Sequence, residues 1–447
     1  MNISPNGVLF NKDYPNIKTS NEFYNRALNL IPSQTQTLAK GTTQYVEGIA
    51  PKYLLKGEGS HVWDVDGNEY IDYNMGIGPL SLGYTYPRVD MAIKNQIDDG
   101  ITFSLMHPLE VEVAELIREI IPNAEAVRFS KTGADVTSAA VRLARAYTGK
   151  EKILCCGYHG WHDWYIGVTP RGMGIPASTK DIVNTFEYNN IDSVINSIDD
   201  NTAAIILEPV VFEKPKDRFL QKLRELCTEK NIVLIFDEMW TGFRMDIGGA
   251  QEYFGIIPDL AAYSKAVANG MPLSILTGKS EIMNLLEGDV FFYTTFGGEA
   301  LSLAAAKATI LEIIEYNVPL YLKQIGRQLR EGYNKIAAEL GLEYSRCTGY
   351  DFRSMVTFDS IAGDPLILKS FVQQEMIKHG ILWSGFHNIC FSHTQDDVDY
   401  TLSVYREVLE MLENAVRDNS VESLIKGRPV QPVFRKTGDF NTKPVCR

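Results

Sequence analysis

An α/β architecture, in which a mostly parallel sheet is covered by helices and a smaller α+β domain stands beside it, is predicted from three features of this 447-residue sequence. Helix-period segments (Glu110 to Ile121, Val136 to Tyr147, Arg218 to Lys230, Leu301 to Tyr316) alternate with short apolar runs (Ala126 to Ser130, Lys152 to Cys156, Ala203 to Leu207, Ile232 to Phe236). Strands that are apolar throughout belong in sheets buried on both faces, and intervening helices are the usual connection between parallel strands. The composition, 45% hydrophobic and 22% charged, can fill a large core. The run Ile232 to Phe236 also ends in Asp237-Glu238, which puts carboxylates at the strand end where such sheets bind ligands.

Taken in order, residues 1–20 are polar and aperiodic, Asn21 to Leu30 reads as a helix, and Ser33 to Gln44 is a Ser/Thr/Gln-rich loop. His61 to Tyr73 reads as a hairpin, because two alternating apolar runs flank Asp66-Gly67-Asn68. After Pro319 come a Lys/Arg/Glu-rich helix, the strand Ser354 to Phe358 and a final helix from Asp396 to Arg417. The tail from Lys426 to Arg447 is Pro-rich and expected to be loosely attached. The reading divides the chain into an N-terminal segment, 1–79, that packs with the small domain, a large domain, 80–318, and a C-terminal small domain with its tail, 319–447.

A net charge of −13 argues against nucleic-acid and membrane-surface partners, which call for a basic face. There is no leader pattern at Met1 and no uncharged apolar stretch of about 18 residues, so the chain is read as cytoplasmic. Six cysteines, including Cys155-Cys156 and Cys446, follow neither a metal nor a disulfide spacing and are read as free thiols. His159 and His162 lack a carboxylate or cysteine at ligand spacing, so no metal is expected and neither histidine is assigned to chemistry.

Lys265 lies in the small, nearly uncharged stretch Asp259 to Pro272, downstream of the strand that delivers Asp237. Such a pair suits pyridoxal 5'-phosphate (PLP): the amine condenses with the cofactor's aldehyde, and the carboxylate keeps the pyridine nitrogen protonated so that the ring accepts electrons. Ser130-Lys131-Thr132-Gly133-Ala134-Asp135 follows a strand and opens a helix, so its N–H groups suit an anion, although an ordinary capped turn reads equally well. Tyr158, in Gly157-Tyr-His-Gly160, suits either ring stacking or core packing, and Glu208 ends an apolar strand just before a proline.

The stretches Phe236-Asp-Glu-Met-Trp-Thr-Gly-Phe-Arg244, Gly248 to Gly255, Pro258-Asp259 and Gly270-Met-Pro272 resemble the cofactor-lysine region of class-III PLP-dependent aminotransferases, and within them glutamate-1-semialdehyde 2,1-aminomutase. The resemblance runs from about Leu30 to about Glu410. It implies the aspartate-aminotransferase-like PLP transferase fold (fold type I), with Lys265 and Asp237 catalytic. It further implies a phosphate cup at Thr132, Gly133 and Ala134, a stacking role for Tyr158, and Glu208 near the cofactor. Thr295 matches a threonine that reaches the phosphate of a neighbouring subunit, which implies a homodimer with a composite site.

On the substrate side the resemblance fails. Lys40 falls on the arginine that grips the aminomutase's substrate carboxylate, Thr37 on a serine and Ile77 on an aromatic. The shortened segment Trp383 to His393 offers His387 and Asn388 in place of a glutamate. A lysine is a point charge and not a bidentate fork, so another acceptor is expected. The reading is an aminotransferase that aminates the carbonyl of a small polar acceptor, sugar-like or phosphorylated, in carbohydrate or natural-product biosynthesis. The aminomutase itself and a catalytically silent regulator are the alternatives.

Overall fold

Seven strands organise the middle of the chain: β1 (Ala126–Ser130), β2 (Lys152–Cys156), β3 (Val183–Thr185), β4 (Thr202–Leu207), β5 (Val233–Asp237), β6 (Leu260–Tyr263) and β7 (Ser274–Gly278). Their order across the sheet is β1-β7-β6-β5-β4-β2-β3. Every neighbouring pair is parallel except those made by β7, which runs antiparallel to both β6 and β1. β4, β5 and β6 are buried at every residue, as strands covered on both faces must be. The computed structural model describes residues 2–3, 9–10, 13–210 and 212–432.

The register matters for the site. Cys156 at the end of β2 stands opposite Leu207, Leu207 opposite Phe236, and Asp237 opposite Ala262. Tyr158, Glu208, Asp237 and Lys265 therefore leave the sheet along one edge. Ser130, the last residue of β1, pairs with Ser274 at the start of the reversed strand β7, so β1 ends at that edge too.

The longer helices around this sheet are α1 (Pro87–Asp99), α2 (Pro108–Ile120), α3 (Gly133–Thr148), α4 (Phe219–Lys230) and α5 (Ala300–Glu315). The 16-residue α3 begins in a reciprocal cap, in which the Thr132 hydroxyl accepts from the Asp135 N–H and the Asp135 carboxylate accepts from the Thr132 N–H. It ends at Gly149, whose φ of 68° is left-handed. Between the caps Val136, Ala140, Leu143 and Ala144 face Ala204, Ile206, Ile235 and Leu276 in one apolar cluster. Burying each large aliphatic side chain there contributes about 1.5–3 kcal/mol.

The chain divides into two compact units, Pro87–Pro319 and a second made of the segments up to Tyr86 and from Leu320. In the second, the expected hairpin is present: His61–Asp64 pairs with Glu69–Asp72, and the Asp64 carboxylate accepts the N–H groups of Asp66 and Asn68 across the turn. Leu54–Glu58 and Ile381–Leu382 complete this sheet, and Ser345–Tyr350, Arg353–Phe358 and Phe386–Asn388 form an antiparallel one. The N-terminal helix covers Lys18–Ala27, earlier than expected, and the loop after it is wound into three short 3-10 turns.

The tail corrects the sequence reading as far as Pro432. Arg428 exchanges both backbone hydrogen bonds with Glu47, Gln431 donates to the Thr43 carbonyl at 2.8 Å, and Val430 is buried and donates to Ser370 Oγ at 2.9 Å. Apolar Val430 holds this segment down against Val46, Ile49 and Ile377. The rest of the tail, with Cys446, lies outside the described residues.

Candidate active site

Asp237 closes β5 and is 1% exposed. Its Oδ1 accepts from the Met239 N–H at 3.1 Å, and its Oδ2 lies 2.8 Å from Nδ1 of the fully enclosed His159. The other ring nitrogen of His159, Nε2, is 3.1 Å from the Cys156 carbonyl. A carbonyl only accepts, so the Nε2 that faces it carries hydrogen. His159 therefore bridges the Asp237 carboxylate and the Cys156 carbonyl and fixes the carboxylate in place. This corrects the sequence reading, which assigned His159 no part in the site. The available signal was its place directly after Tyr158, beyond a strand end aligned with that of Asp237.

Glu238, the next residue, faces the opposite way. Its carboxylate accepts from the Thr241 hydroxyl and from the N–H groups of Ala250 and Gln251. Burial, opposed by these donors, raises its pKa to about 7. A side chain at Gly249, φ 85°, would strike it at 2.6 Å. Glu238 thus ties down the loop after β5, and Asp237 is left at the sheet edge.

Lys265 follows β6 at a left-handed φ of 42°, a conformation that costs a non-glycine residue about 1–2 kcal/mol. Its Nζ lies 4.3 Å from the centroid of the Trp240 ring. Tyr158 is 43% exposed, so its ring is open to a ligand. The turn that carries it is pinned by Glu208, whose Oε1 accepts the Tyr158 N–H at 2.7 Å, and by the Tyr165 hydroxyl, which donates to the Gly157 carbonyl at 2.8 Å. The glutamate picked out at the strand tip is thus the clamp of this turn.

At the start of α3 the Thr132 and Asp135 N–H groups are used by the cap, which leaves those of Gly133 and Ala134 for an anion. A Cβ on Gly133 would sit 2.9 Å from Met239 Sδ, and one on Gly160, φ 103°, 2.6 Å from the Ala134 Cβ. The turns after β1, β2 and β5 therefore approach one another as closely as glycine permits. Thr295 is exposed in the turn that follows Tyr293, in a loop pinned by Arg128, which donates to the Phe292 carbonyl at 2.9 Å, and by Arg142, which donates to that of Phe291 at 2.7 Å.

The residues that the resemblance assigns to the substrate belong to the second unit. Thr37 is exposed beside the turn Leu38–Lys40, and exposed Lys40 has no carboxylate partner among the described residues. Ile77 belongs to a left-handed run, with φ 46° at Met75, 63° at Gly76, 70° at Ile77 and 98° at Gly78. The Asp72 carboxylate holds this run by accepting the N–H groups of Asn74 and Met75. His387 and Asn388 correct the sequence reading. His387 is 0% exposed, with Nδ1 2.9 Å from Ser354 Oγ and Nε2 2.7 Å from the Tyr405 hydroxyl, and Asn388 is buried and donates to the Asn74 carbonyl. Both ring nitrogens of His387 are engaged inside the unit, so it acts as a packing residue. No cluster of metal ligands occurs among the described residues, and none of their helices is long and apolar enough to cross a membrane.

These groups suit PLP: a lysine amine, a buried carboxylate with a remaining acceptor site, an open aromatic face, and two N–H groups left over by the helix cap in a cradle that any added Cβ would fill. Residues 47–388 match the family model of class-III aminotransferases. The chain is 36% identical over 404 residues to a 3-aminobutyryl-CoA aminotransferase of Cloacimonas acidaminovorans, covering 87% of this chain and 96% of that protein. It is 33% identical over 422 residues to a glutamate-1-semialdehyde 2,1-aminomutase of Methanosarcina acetivorans, covering 87% and 98%. Among solved structures it is similar to the FumI protein of Sphingopyxis sp. MTA144, solved in a PLP-carrying form, with a TM-score of 0.84, 28% identity and coverage of 93% and 99%. The chain is thus a PLP-dependent enzyme of fold type I and belongs to the class-III aminotransferases.

Proposed function

We propose that the protein moves an amino group from a small donor onto the aldehyde or ketone carbonyl of a small polar acceptor, sugar-like or phosphorylated, and that it works as a homodimer. The observation that carries this reading is the placement of Asp237 and Lys265 at the ends of adjacent parallel strands, with the carboxylate buried and held by His159. Bound there, PLP supplies the aldehyde that takes up the amino group and a ring that accepts electrons. Lys265 Nζ carries the proton to and from the substrate carbon, and the Asp237 carboxylate holds the proton of the pyridine nitrogen. Gly133 and Ala134 offer N–H groups to the phosphate, Tyr158 offers its ring face, and Thr295 serves the phosphate of the partner subunit. A regulator without turnover would need neither the carboxylate nor the lysine.

Lys40, an exposed ammonium with no carboxylate partner among the described residues, supports an anionic acceptor, and Thr37 and Ile77 are assigned with it to the substrate side. His387 and Asn388 no longer support that side. The relative named for 3-aminobutyryl-CoA is consistent with a two-substrate reaction. The second reading, glutamate-1-semialdehyde aminomutase, is favoured by several relatives of that name. Single-turnover reaction of the protein loaded with pyridoxamine phosphate with a panel of carbonyl compounds separates the two. Phosphorylated or hydroxylated aldehydes and ketones should be aminated, and glutamate-1-semialdehyde converted poorly. Efficient 5-aminolevulinate formation from the semialdehyde, with no added donor, would establish the aminomutase instead.

A further inference from the structure

Lys265 is set firmly at its backbone and loosely along its side chain. The left-handed φ of 42° fixes where the side chain starts, and four flexible carbons follow. An indole faces the amine: Nζ stands 4.3 Å from the Trp240 ring centroid, inside the range in which a cation is drawn to the negative face of an aromatic ring. The guanidinium carbon of fully buried Arg244 lies 5.9 Å from the same centroid. Trp240 is itself held. It sits three residues beyond Asp237, between Met239, which packs on Gly133, and Thr241, whose hydroxyl is bonded to Glu238. The backbone that carries the indole is therefore fixed beside Lys265.

A lysine that both carries a cofactor link and shuttles protons spends part of each turnover detached from the cofactor. We propose that Trp240 is a positioning residue that holds this detached, protonated amine of Lys265 at the sheet edge, ready to return the proton. The proposal rests on the assignment of Lys265 as proton carrier. An ammonium over the indole face is favoured over the neutral amine, roughly two- to fivefold at ordinary cation–π strengths. Loss of the ring makes the amine easier to deprotonate and lets it swing away.

Protein loaded with pyridoxamine phosphate, in which Lys265 carries no cofactor link, gives a direct test. Pulse labelling with acetic anhydride across a pH series, with the Lys265 peptide followed by mass spectrometry, reports the protonation of this amine without any turnover. In Trp240→Leu the labelling curve should move to lower pH by about half a unit, and kcat should fall about tenfold with KM for the donor within about twofold. Trp240→Phe, which keeps a π face, should restore the curve and most of kcat, and melting temperatures of both variants show whether the fold is kept. A Trp240→Leu curve that superimposes on the parent's, or a Phe variant no better than Leu, overturns the proposal alone. Retained turnover in Lys265→Ala would overturn the proton-carrier assignment and this proposal with it.

Discussion

At the level of single residues the site asks most of one carboxylate. Asp237 is buried, and its nearest support is a histidine whose other nitrogen is engaged by a carbonyl. Asp237→Asn is nearly isosteric and should leave the fold intact while slowing single-turnover proton transfer by about 10²–10³, the usual loss when a charge is withdrawn from a dry site. Rates within tenfold of the parent would refute the assignment. His159→Leu removes a hydrogen bond to a charged group, an effect of about 1.5–3 kcal/mol. The expected result is weaker PLP retention and a kcat at least tenfold lower, read by cofactor dialysis and steady-state kinetics. Borohydride reduction and peptide mapping should place the phosphopyridoxyl label on Lys265, and a label on Lys131 or Lys279 would refute its role. Lys131 is already paired with Glu299 at 2.6 Å and Lys279 with Asp259 at 2.7 Å.

At the level of elements the site is a meeting of turns. Gly160 faces Ala134 so closely that Gly160→Ala should push the start of α3 away from the turn after β2. Its φ of 103° adds strain to any side chain there. PLP affinity should fall at least tenfold with little change in far-ultraviolet circular dichroism, and equal affinity would show that the cradle is not where phosphate binds. Much of this edge was legible in the sequence, since β1, β2, β4 and β5 announce themselves as apolar runs and α3 carries its cap in Thr132 and Asp135. β6 and β7 were not, because Leu-Ala-Ala-Tyr and Ser-Ile-Leu-Thr-Gly are short and lack periodicity, and their pairing is settled only by their neighbours in the sheet. His387 misled for a related reason. Its sequence position suggested a ligand, whereas its environment, set by Ser354 and Tyr405 at a distance along the chain, makes it part of the core.

For the molecule as a whole, association and pH are the accessible handles. Phe291 and Phe296 flank exposed Thr295 and are 72% and 58% exposed, an apolar surface that suits burial against a second copy. If Thr295 serves the phosphate of a second copy, dilution should release subunits and PLP together, followed by light scattering and absorbance, and a fully active monomer would refute that role. Acid should act on the unit that holds His387 and His393. Burial lowers the pKa of His387 to about 3 and that of His393 to about 4, so the unfolded chain, titrating near 6.5, takes up protons that the folded one refuses. Their contribution is complete above about pH 6.5 and is lost as pH falls toward 4 and 3. The urea midpoint should therefore drop between about pH 7 and about pH 5, and His387→Gln should flatten that slope even if it lowers the midpoint itself. A slope identical to the parent's would show that His387 does not titrate on unfolding.

The docked tail has a further consequence, which concerns the order of synthesis. The Val46 N–H donates to the Gln373 side chain, 327 residues away, and Glu47 pairs with Arg428, so the early part of this unit lacks these partners until the later part leaves the ribosome. At roughly 5–20 residues per second that delay is on the order of tens of seconds, during which Val46, Val62 and Tyr70 lack the cover of Ile377, Leu382 and Val430 while Pro87–Pro319 can already fold. A newborn chain is thus most exposed to aggregation, and most in need of a chaperone, through the segment that ends at Tyr86.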